Sequence, residues 1–269
     1  MRGLLIDAPV AIVTGAARGI GAATAARLAA AGWRLVLVDR CADLDGIDYP
    51  LARPEDLEAT AVRCGGPDWA VALVADARDA DALGEAVRTA TERFGGLDAA
   101  VAAAGCIAGG PPAWETDDAV WEQLVSVNLE GVWRLAGAAV PALLRRPEPR
   151  RGRVVAVASA GGLVGLPGLA AYCAAKAGVI GLVRALAAEL GPHGVTANCV
   201  APGSTATAML DASAAVYGLE GPAAFAQHHM LPRLLTPDEP AALIAWLCGP
   251  DSSGVTGAVL PVDAGMTAR

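Results

Sequence analysis

The chain has 269 residues, 54% of them apolar and 18% charged, and carries a net charge of −8. So apolar a composition excludes a disordered chain, and the acidic balance argues against nucleic acid as a partner. The length suits one large α/β domain or two small ones, with enough chain for a substantial core.

The N-terminal stretch Met1 to Pro9 carries one arginine and an apolar run too short for a signal peptide. No apolar run is read as a membrane span, and the protein is expected in the cytoplasm. A first strand, Val10–Thr14, leads directly into Thr14-Gly15-Ala16-Ala17-Arg18-Gly19-Ile20-Gly21 and then into a helix over Ile20–Ala31. Glycines between a strand and a helix allow a sharp turn and close backbone approach to a pyrophosphate, whose charge meets the helix N-terminus. Strand and helix on either side give this glycine pattern its specificity for a dinucleotide.

A second strand, Arg34–Val38, ends at Asp39, about twenty residues past the glycine turn, where a carboxylate accepts hydrogen bonds from adenosine ribose hydroxyls and repels a 2′-phosphate. NAD is therefore expected as the cofactor. Arg18 and Arg40 point the other way, since either guanidinium would hold a 2′-phosphate, so NADP remains the alternative.

Residues 40–53 form an inserted loop before a helix over Pro54–Cys64. Strands over Trp69–Val74 and Leu97–Ala102 bracket a helix over Asp79–Phe94. A long helix over Asp117–Leu144 follows, then a strand over Arg153–Ala158, a helix over Tyr172–Leu190, a strand over Thr196–Val200, a helix over Pro237–Cys248 and a last strand over Val259–Val262. This unbroken alternation predicts one α/β domain spanning residues 1–269, doubly wound and Rossmann-type, with a seven-stranded parallel sheet covered by helices on both faces. Residues 204–236 have short helical patterns and little strand character, which suits a lid over a substrate.

Arg145, Arg146, Arg150, Arg151 and Arg153 read as a solvated loop. Cys41, Cys64, Cys106, Cys173, Cys199 and Cys248 lack metal-ligand or redox-pair spacing and read as reduced, mostly buried thiols, so no metal is expected. Cys41 and Cys64 flank the inserted segment, but a disulfide between them is disfavoured in the cytoplasm.

Of the 20 basic residues, Lys176 is the sole lysine, four residues after Tyr172. That spacing puts both on one helical face. A cation there favours the phenolate and is expected to lower the Tyr172 pKa, making Tyr172 a general acid/base. Ser159 stands 13 residues before Tyr172, at the end of a strand, placed to bond and orient a substrate oxygen. Asn128 sits inside a helix, where its propensity is poor.

The glycine spacing and the Tyr172-x-x-x-Lys176 pair resemble the short-chain dehydrogenase/reductase family from Val10 to Thr267. The resemblance implies a catalytic set of Asn128, Ser159, Tyr172 and Lys176, with Lys176 also on the nicotinamide ribose and Asn128 holding a water that links Lys176 to solvent. It further implies cofactor contacts from Gly15, Arg18, Gly19, Ile20, Gly21, Asp39, Arg40, Asp76, Ala77, Ala104, Gly105, Tyr172, Lys176, Pro202, Gly203, Thr205 and Thr207. Ala102-Ala103-Ala104-Gly105 departs from the family's usual Asn-Asn-Ala-Gly and leaves only backbone contacts there. A homotetramer is also implied, with the apolar segment Val255 to Thr267 at an interface.

Tyr49-Pro50-Leu51-Ala52-Arg53-Pro54-Glu55-Asp56-Leu57 resembles the insertion of the mycofactocin-associated branch. That resemblance implies a loop covering an NAD that seldom leaves, with electrons passed to a mycofactocin-type redox carrier. The substrate expected is an alcohol or ketone, most simply a hydrophobic secondary alcohol. His193 reads as a turn residue and His228 and His229 as an exposed helix face of the lid; Trp114, Trp121 and Met209 are placed in the core or the pocket. A non-catalytic cofactor-binding protein would lack part of the Asn-Ser-Tyr-Lys set, whereas an epimerase or dehydratase on the same fold stays open.

Overall fold

The computed structural model describes residues 8–268. The signal-peptide question falls on the N-terminal stretch and lies largely outside them. Seven strands form one parallel sheet in the order β3-β2-β1-β4-β5-β6-β7. They are β1 (Val10–Thr14), β2 (Arg34–Asp39), β3 (Ala70–Val74), β4 (Ala99–Ala102), β5 (Arg153–Val157), β6 (Thr196–Pro202) and β7 (Val259–Val262). The helices are α1 (Gly19–Ala30), α2 (Pro54–Arg63), α3 (Ala80–Phe94), α4 (Asp118–Val125), α5 (Gly131–Leu144), α6 (Ala170–Leu190), α7 (Ala208–Val216) and α8 (Asp238–Cys248).

Alternating residues of the central strands feed two separate cores. Val10 and Ile12 point to the layer of α3, α5 and α6, while Ala11 and Val13 point to the layer of α1, α2 and α8. Because both faces are covered, β1 is buried at every position, which explains its continuous apolar run. Strand order reverses between β1 and β4, and the crevice at their C-terminal ends is where a doubly wound sheet binds its ligand.

Local chemistry sets the element ends. Asp79 caps α3 by accepting from the Asp81 and Ala82 amides, and Gly95, at φ +87°, terminates it in the left-handed region. Pro54 opens α2, where the Asp56 carboxylate accepts from the Arg53 amide at 2.9 Å.

The long helix expected over Asp117–Leu144 is interrupted. A π-turn over Ser126–Glu130 separates α4 from α5 and carries Asn128. Among the described residues one helix, Ala170–His193, is long and apolar enough to cross a membrane by length and composition alone. It is a core helix: Val179, Ile180, Val183 and Leu190 are buried against β5 and β6.

The basic run is also less solvated than expected. Arg146 forms a two-pronged ion pair with Asp98, at 2.7 and 2.8 Å, and Arg153 is buried, donating to the Gly249 and Gly152 carbonyls. Cys41 and Cys64 are both buried and free, as are Cys106, Cys199 and Cys248, whereas Cys173 is half-buried.

Candidate active site

A cavity of about 940 Å³ opens at the sheet's reversal point. Its floor is the glycine turn. Gly15 (φ +68°) and Gly19 (φ +58°) adopt backbone that favours glycine, and a Cβ on Gly15 would lie 2.6 Å from the Ala104 nitrogen. A Cβ on Gly21 would stand 2.0 Å from the Gly15 carbonyl oxygen, so strand, turn and helix meet too closely for any side chain. No side chain caps α1, which leaves its first-turn amides, Gly19 to Gly21, as donors at the cavity floor. This cradle fits a pyrophosphate.

At the adenosine end, the Asp39 carboxylate accepts from the Ala17 and Cys41 amides, each at 3.1 Å, and lines the cavity. Neither arginine that argued for a 2′-phosphate is idle. Arg18 lies over the Tyr49 ring at 6.0 Å, and Arg40 donates to Asp76 at 2.5 Å. Asp76 is further gripped by the backbone and guanidinium of Arg78 at 2.8 to 3.1 Å. Burial pushes its carboxyl up, but the bonds from Arg78 and Arg40 prevail and hold it at about 2.

Across the cavity, Ser159 follows β5 by two residues and caps the 3-10 turn Ala160–Gly162, while Tyr172 and Lys176 stand on the first turns of α6. Helical spacing brings the last two to one face, as expected. The Ser159 hydroxyl accepts from the Gly161 amide at 3.1 Å and lines the cavity together with Tyr172. Lys176 is buried; its ammonium donates to the Val157 carbonyl at 2.8 Å and lies 5.8 Å from the centre of the Tyr172 ring.

The expected electrostatics are corrected here. Burial pushes Tyr172 up to about 12, the Ser159 bond opposing it, and pushes Lys176 down to about 8. Desolvation of both groups outweighs the stabilisation of a phenolate by the neighbouring cation.

Asn128 is fully buried and, unlike Ser159, Tyr172 and Lys176, does not line the cavity. Its carboxamide accepts from the Cys106 amide at 3.3 Å and donates to the Cys106 and Leu124 carbonyls, each at 3.0 Å. The Asn128 side chain thus braces the segment after β4 against the π-turn. The bond to Leu124, one turn back, supplies a donor where the helix widens and explains why Asn stands inside it.

Gly15, Arg18, Gly19, Ile20, Gly21, Asp39, Arg40, Asp76, Ala77, Ala104, Gly105, Pro202, Gly203, Thr205 and Thr207 all line the cavity. The Thr205 and Thr207 hydroxyls donate to the Gly203 and Thr205 carbonyls at 3.0 and 3.2 Å, shaping this strip as turn formers do.

The segment expected to form a lid holds α7 and a 3-10 turn over Pro222–His228. Tyr217 fastens it to the loop after Ser159, its hydroxyl donating to the Pro167 carbonyl at 2.7 Å. Met209 lines the cavity, but Trp114 (83% exposed) and Trp121 stand outside both core and cavity, against expectation. His228 lines the mouth and is exposed. His229 departs from its expected exposed helix face: it is buried, accepts from the Ser204 amide at 3.1 Å and lies 2.6 Å from the Arg233 carbonyl. His193 sits exposed in a turn, as expected.

Sequence reasoning did not single out Ile107, Leu166, Leu210, Tyr217 and Phe225, which give the far end of the cavity its apolar wall. They are ordinary apolar residues with no spacing signal, and only the fold collects them. Among the described residues, no group of three His, Cys, Asp or Glu side chains is placed to hold a metal.

A dinucleotide cradle facing a Ser-Tyr-Lys cluster across a largely apolar cavity defines an oxidoreductase of the nucleotide-dependent kind. Residues 15–267 match the family model described as enoyl-(acyl carrier protein) reductase, and the chain belongs to the short-chain dehydrogenase/reductase family. It is 37% identical over 278 residues to an uncharacterized NAD-dependent oxidoreductase of Mycobacterium tuberculosis, covering 98% of each chain. It is 36% identical over 278 residues to the (−)-trans-carveol dehydrogenase of Rhodococcus erythropolis, covering 98% of this chain and 99% of that one. The crystal structure of carveol dehydrogenase from Mycobacterium avium in complex with NAD superposes with a TM-score of 0.90 at 36% identity, over 98% of this chain and 99% of that one.

Proposed function

We propose that the protein interconverts a hydrophobic secondary alcohol and its ketone with NAD as the hydride acceptor or donor. The observation that carries this is that Ser159, Tyr172 and the buried Lys176 line one cavity with the glycine cradle, facing it from the opposite wall. Bound NAD supplies the two-electron chemistry; the chain's own residues do the rest. Gly15 and the α1 amides Gly19, Ile20 and Gly21 hold the pyrophosphate, with Arg18 beside them. Asp39 takes the adenosine ribose diol, with Arg40, Asp76 and Ala77 around the adenine end. Ala104, Gly105, Pro202, Gly203, Thr205 and Thr207 line the nicotinamide end with Tyr172 and Lys176.

The Ser159 hydroxyl orients the substrate oxygen. Tyr172 takes the alcohol proton during oxidation or returns it during reduction, and Lys176 charge favours the phenolate form. Asn128 contributes by positioning the chain after β4. A phenol pushed up to about 12 needs positive charge close by to work as a base at neutral pH, which a bound oxidised nicotinamide adds to that of Lys176. Ile107, Leu166, Met209, Leu210 and Phe225 offer the substrate an apolar wall without an ionised partner, which fits a hydrocarbon framework such as a terpenoid alcohol. The similarity to carveol dehydrogenases supports that class.

The reading extends to a resident cofactor. Loop 40–53 is fastened over the cavity: Tyr49 accepts from the Ile107 amide, Asp43 bonds the Leu51 amide and Arg53, and Ile47 joins the apolar cluster of Tyr172 and Leu169. A cofactor held under such a loop would stay with the chain between turnovers, and a mycofactocin-type carrier would be the acceptor for the two electrons taken from the alcohol. The enzyme works in the cytoplasm as a homotetramer, with the half-exposed edge strand β7 within one interface.

Tyr172→Phe tests the chemistry: it abolishes turnover and leaves the NAD content unchanged, and normal turnover would sink the mechanism. Retention is tested by prolonged dialysis followed by mass spectrometry of the released nucleotide. Protein that loses NAD and turns over freely with soluble NAD would rule the resident cofactor out.

A further inference from the structure

We propose that Asp76 is a specificity residue for the cofactor: its carboxylate holds the Arg40 guanidinium and so withholds from a 2′-phosphate an arginine standing beside the adenosine ribose. The inference rests on a dinucleotide occupying the cavity as described above. Asp39 and Arg40 are neighbours at the end of β2, and both line that cavity. Their preferences oppose each other, since the carboxylate favours a ribose diol and the guanidinium a phosphate.

The geometry resolves the opposition. Arg40 Nη1 lies 2.5 Å from Asp76 Oδ2, while Asp76 is itself anchored by three further donors of Arg78, its amide at 2.9 Å, its Nε at 3.1 Å and its Nη2 at 2.8 Å. Asp76 therefore cannot swing out to follow Arg40 toward an incoming phosphate. To bind that phosphate, Arg40 must leave a partner fixed in place. Arg18 is engaged as well, over the Tyr49 ring. Arg40 Nε is buried without a partner, so the side chain is held by its Nη1 bond to Asp76 and little else. Replacing the carboxylate releases it.

The test is a double-mutant cycle with Asp76→Asn and Arg40→Ala. Protein purified from cells is denatured and the NADP-to-NAD ratio of the released nucleotide is measured by mass spectrometry. Any protein that purifies empty is titrated with NADPH and NADH, and the ratio of affinities is used instead. Arg40→Ala alone is expected to leave the ratio within about twofold, because the guanidinium is already withheld. Asp76→Asn raises it about fivefold, and the double variant returns it to the wild-type value.

The return in the double variant separates release of Arg40 from mere loss of a negative charge, which would raise the ratio with or without Arg40. A gain that survives Arg40→Ala overturns the proposal. Should Asp76→Asn fail to fold, Arg40→Ala decides alone: a fivefold or larger fall in the ratio means Arg40 was free, and the proposal is wrong. Protein that binds neither nucleotide in any variant removes the cofactor reading itself, a failure distinct from a ratio that does not move.

Discussion

The Tyr49 hydroxyl accepts a hydrogen bond from the backbone amide of Ile107 at 3.3 Å, joining the loop after β2 to the chain leaving β4 across the mouth of the cavity. Tyr49 is largely buried, which pushes its phenol up and keeps it protonated. Tyr49→Phe keeps the ring under Arg18 but strands the buried Ile107 amide, at a cost of about 1–2 kcal/mol to the closed loop. The variant is expected to lose bound NAD roughly five- to thirtyfold faster on dialysis, by that same free energy. A release rate equal to wild type, followed by mass spectrometry over time, would show that the bond does not hold the loop.

Gly21→Ala is expected to yield protein without cofactor. Its Cβ would meet the Gly15 carbonyl oxygen at 2.0 Å, a backbone contact that no rotamer relieves. The turn must open, which disturbs both the β1–α1 packing and the donors at the cavity floor. Thermal unfolding and nucleotide content read the two effects, and a cofactor-loaded variant with unchanged Tm would contradict the close approach.

Ser159→Ala separates positioning from binding. The hydroxyl accepts from the Gly161 amide and lines the cavity beside Tyr172, opposite the glycine turn. Losing it is expected to lower kcat about 100- to 1000-fold, in the range seen for removing one donor aimed at a reacting oxygen. NAD content stays unchanged. Loss of cofactor with kcat preserved would assign Ser159 to binding instead.

Sequence periodicity carried the sheet almost completely, because strands buried on both faces read as near-continuous apolar runs, and β1, β4 and β5 are buried at every position. It could not find the π-turn at Ser126–Glu130, since α4 and α5 keep helical periodicity on either side of one widened turn. In the site, fixed spacings were legible: glycine turn, Asp39, Ser159, Tyr172 and Lys176 all meet at the cavity. What escaped depends on distance through space. Arg40 finds Asp76 36 residues away, Asn128 braces Cys106 and Leu124, and His229 takes the Ser204 amide 25 residues back. The direction of the Tyr172 pKa shift differs from the sequence expectation for a related reason. Helical spacing places a cation near a phenol, but the depth of burial that dominates both groups comes from the fold.

His229→Ala tests the joint between lid and cofactor strip. The ring accepts from the Ser204 amide and its other nitrogen meets the Arg233 carbonyl, so both ends of the segment depend on it. Leaving the buried Ser204 amide and the part-buried Arg233 carbonyl with poorer partners is expected to cost about 1–3 kcal/mol. Loss of Tm together with faster NAD release would place the strip under lid control. A lower Tm with unchanged release would confine His229 to stability.

Lys176→Met is expected to abolish turnover yet raise stability at pH 7. The wild-type ammonium is charged in both folded and unfolded chains at that pH, and burial of the charge, which pushes Lys176 down to about 8, penalises only the folded one. Methionine removes that penalty, on the order of 2–3 kcal/mol, and loses the bond to the Val157 carbonyl, worth about 1 kcal/mol. Between pH 8 and the unfolded value of 10.5 the folded chain binds fewer protons than the unfolded one, so wild-type stability gains with rising pH in that window. The advantage of the variant should therefore shrink from pH 7 to pH 10. Scanning calorimetry at the two pH values decides it: an advantage that is absent at pH 7, or that grows toward pH 10, would mean Lys176 is not held as a strained, buried cation.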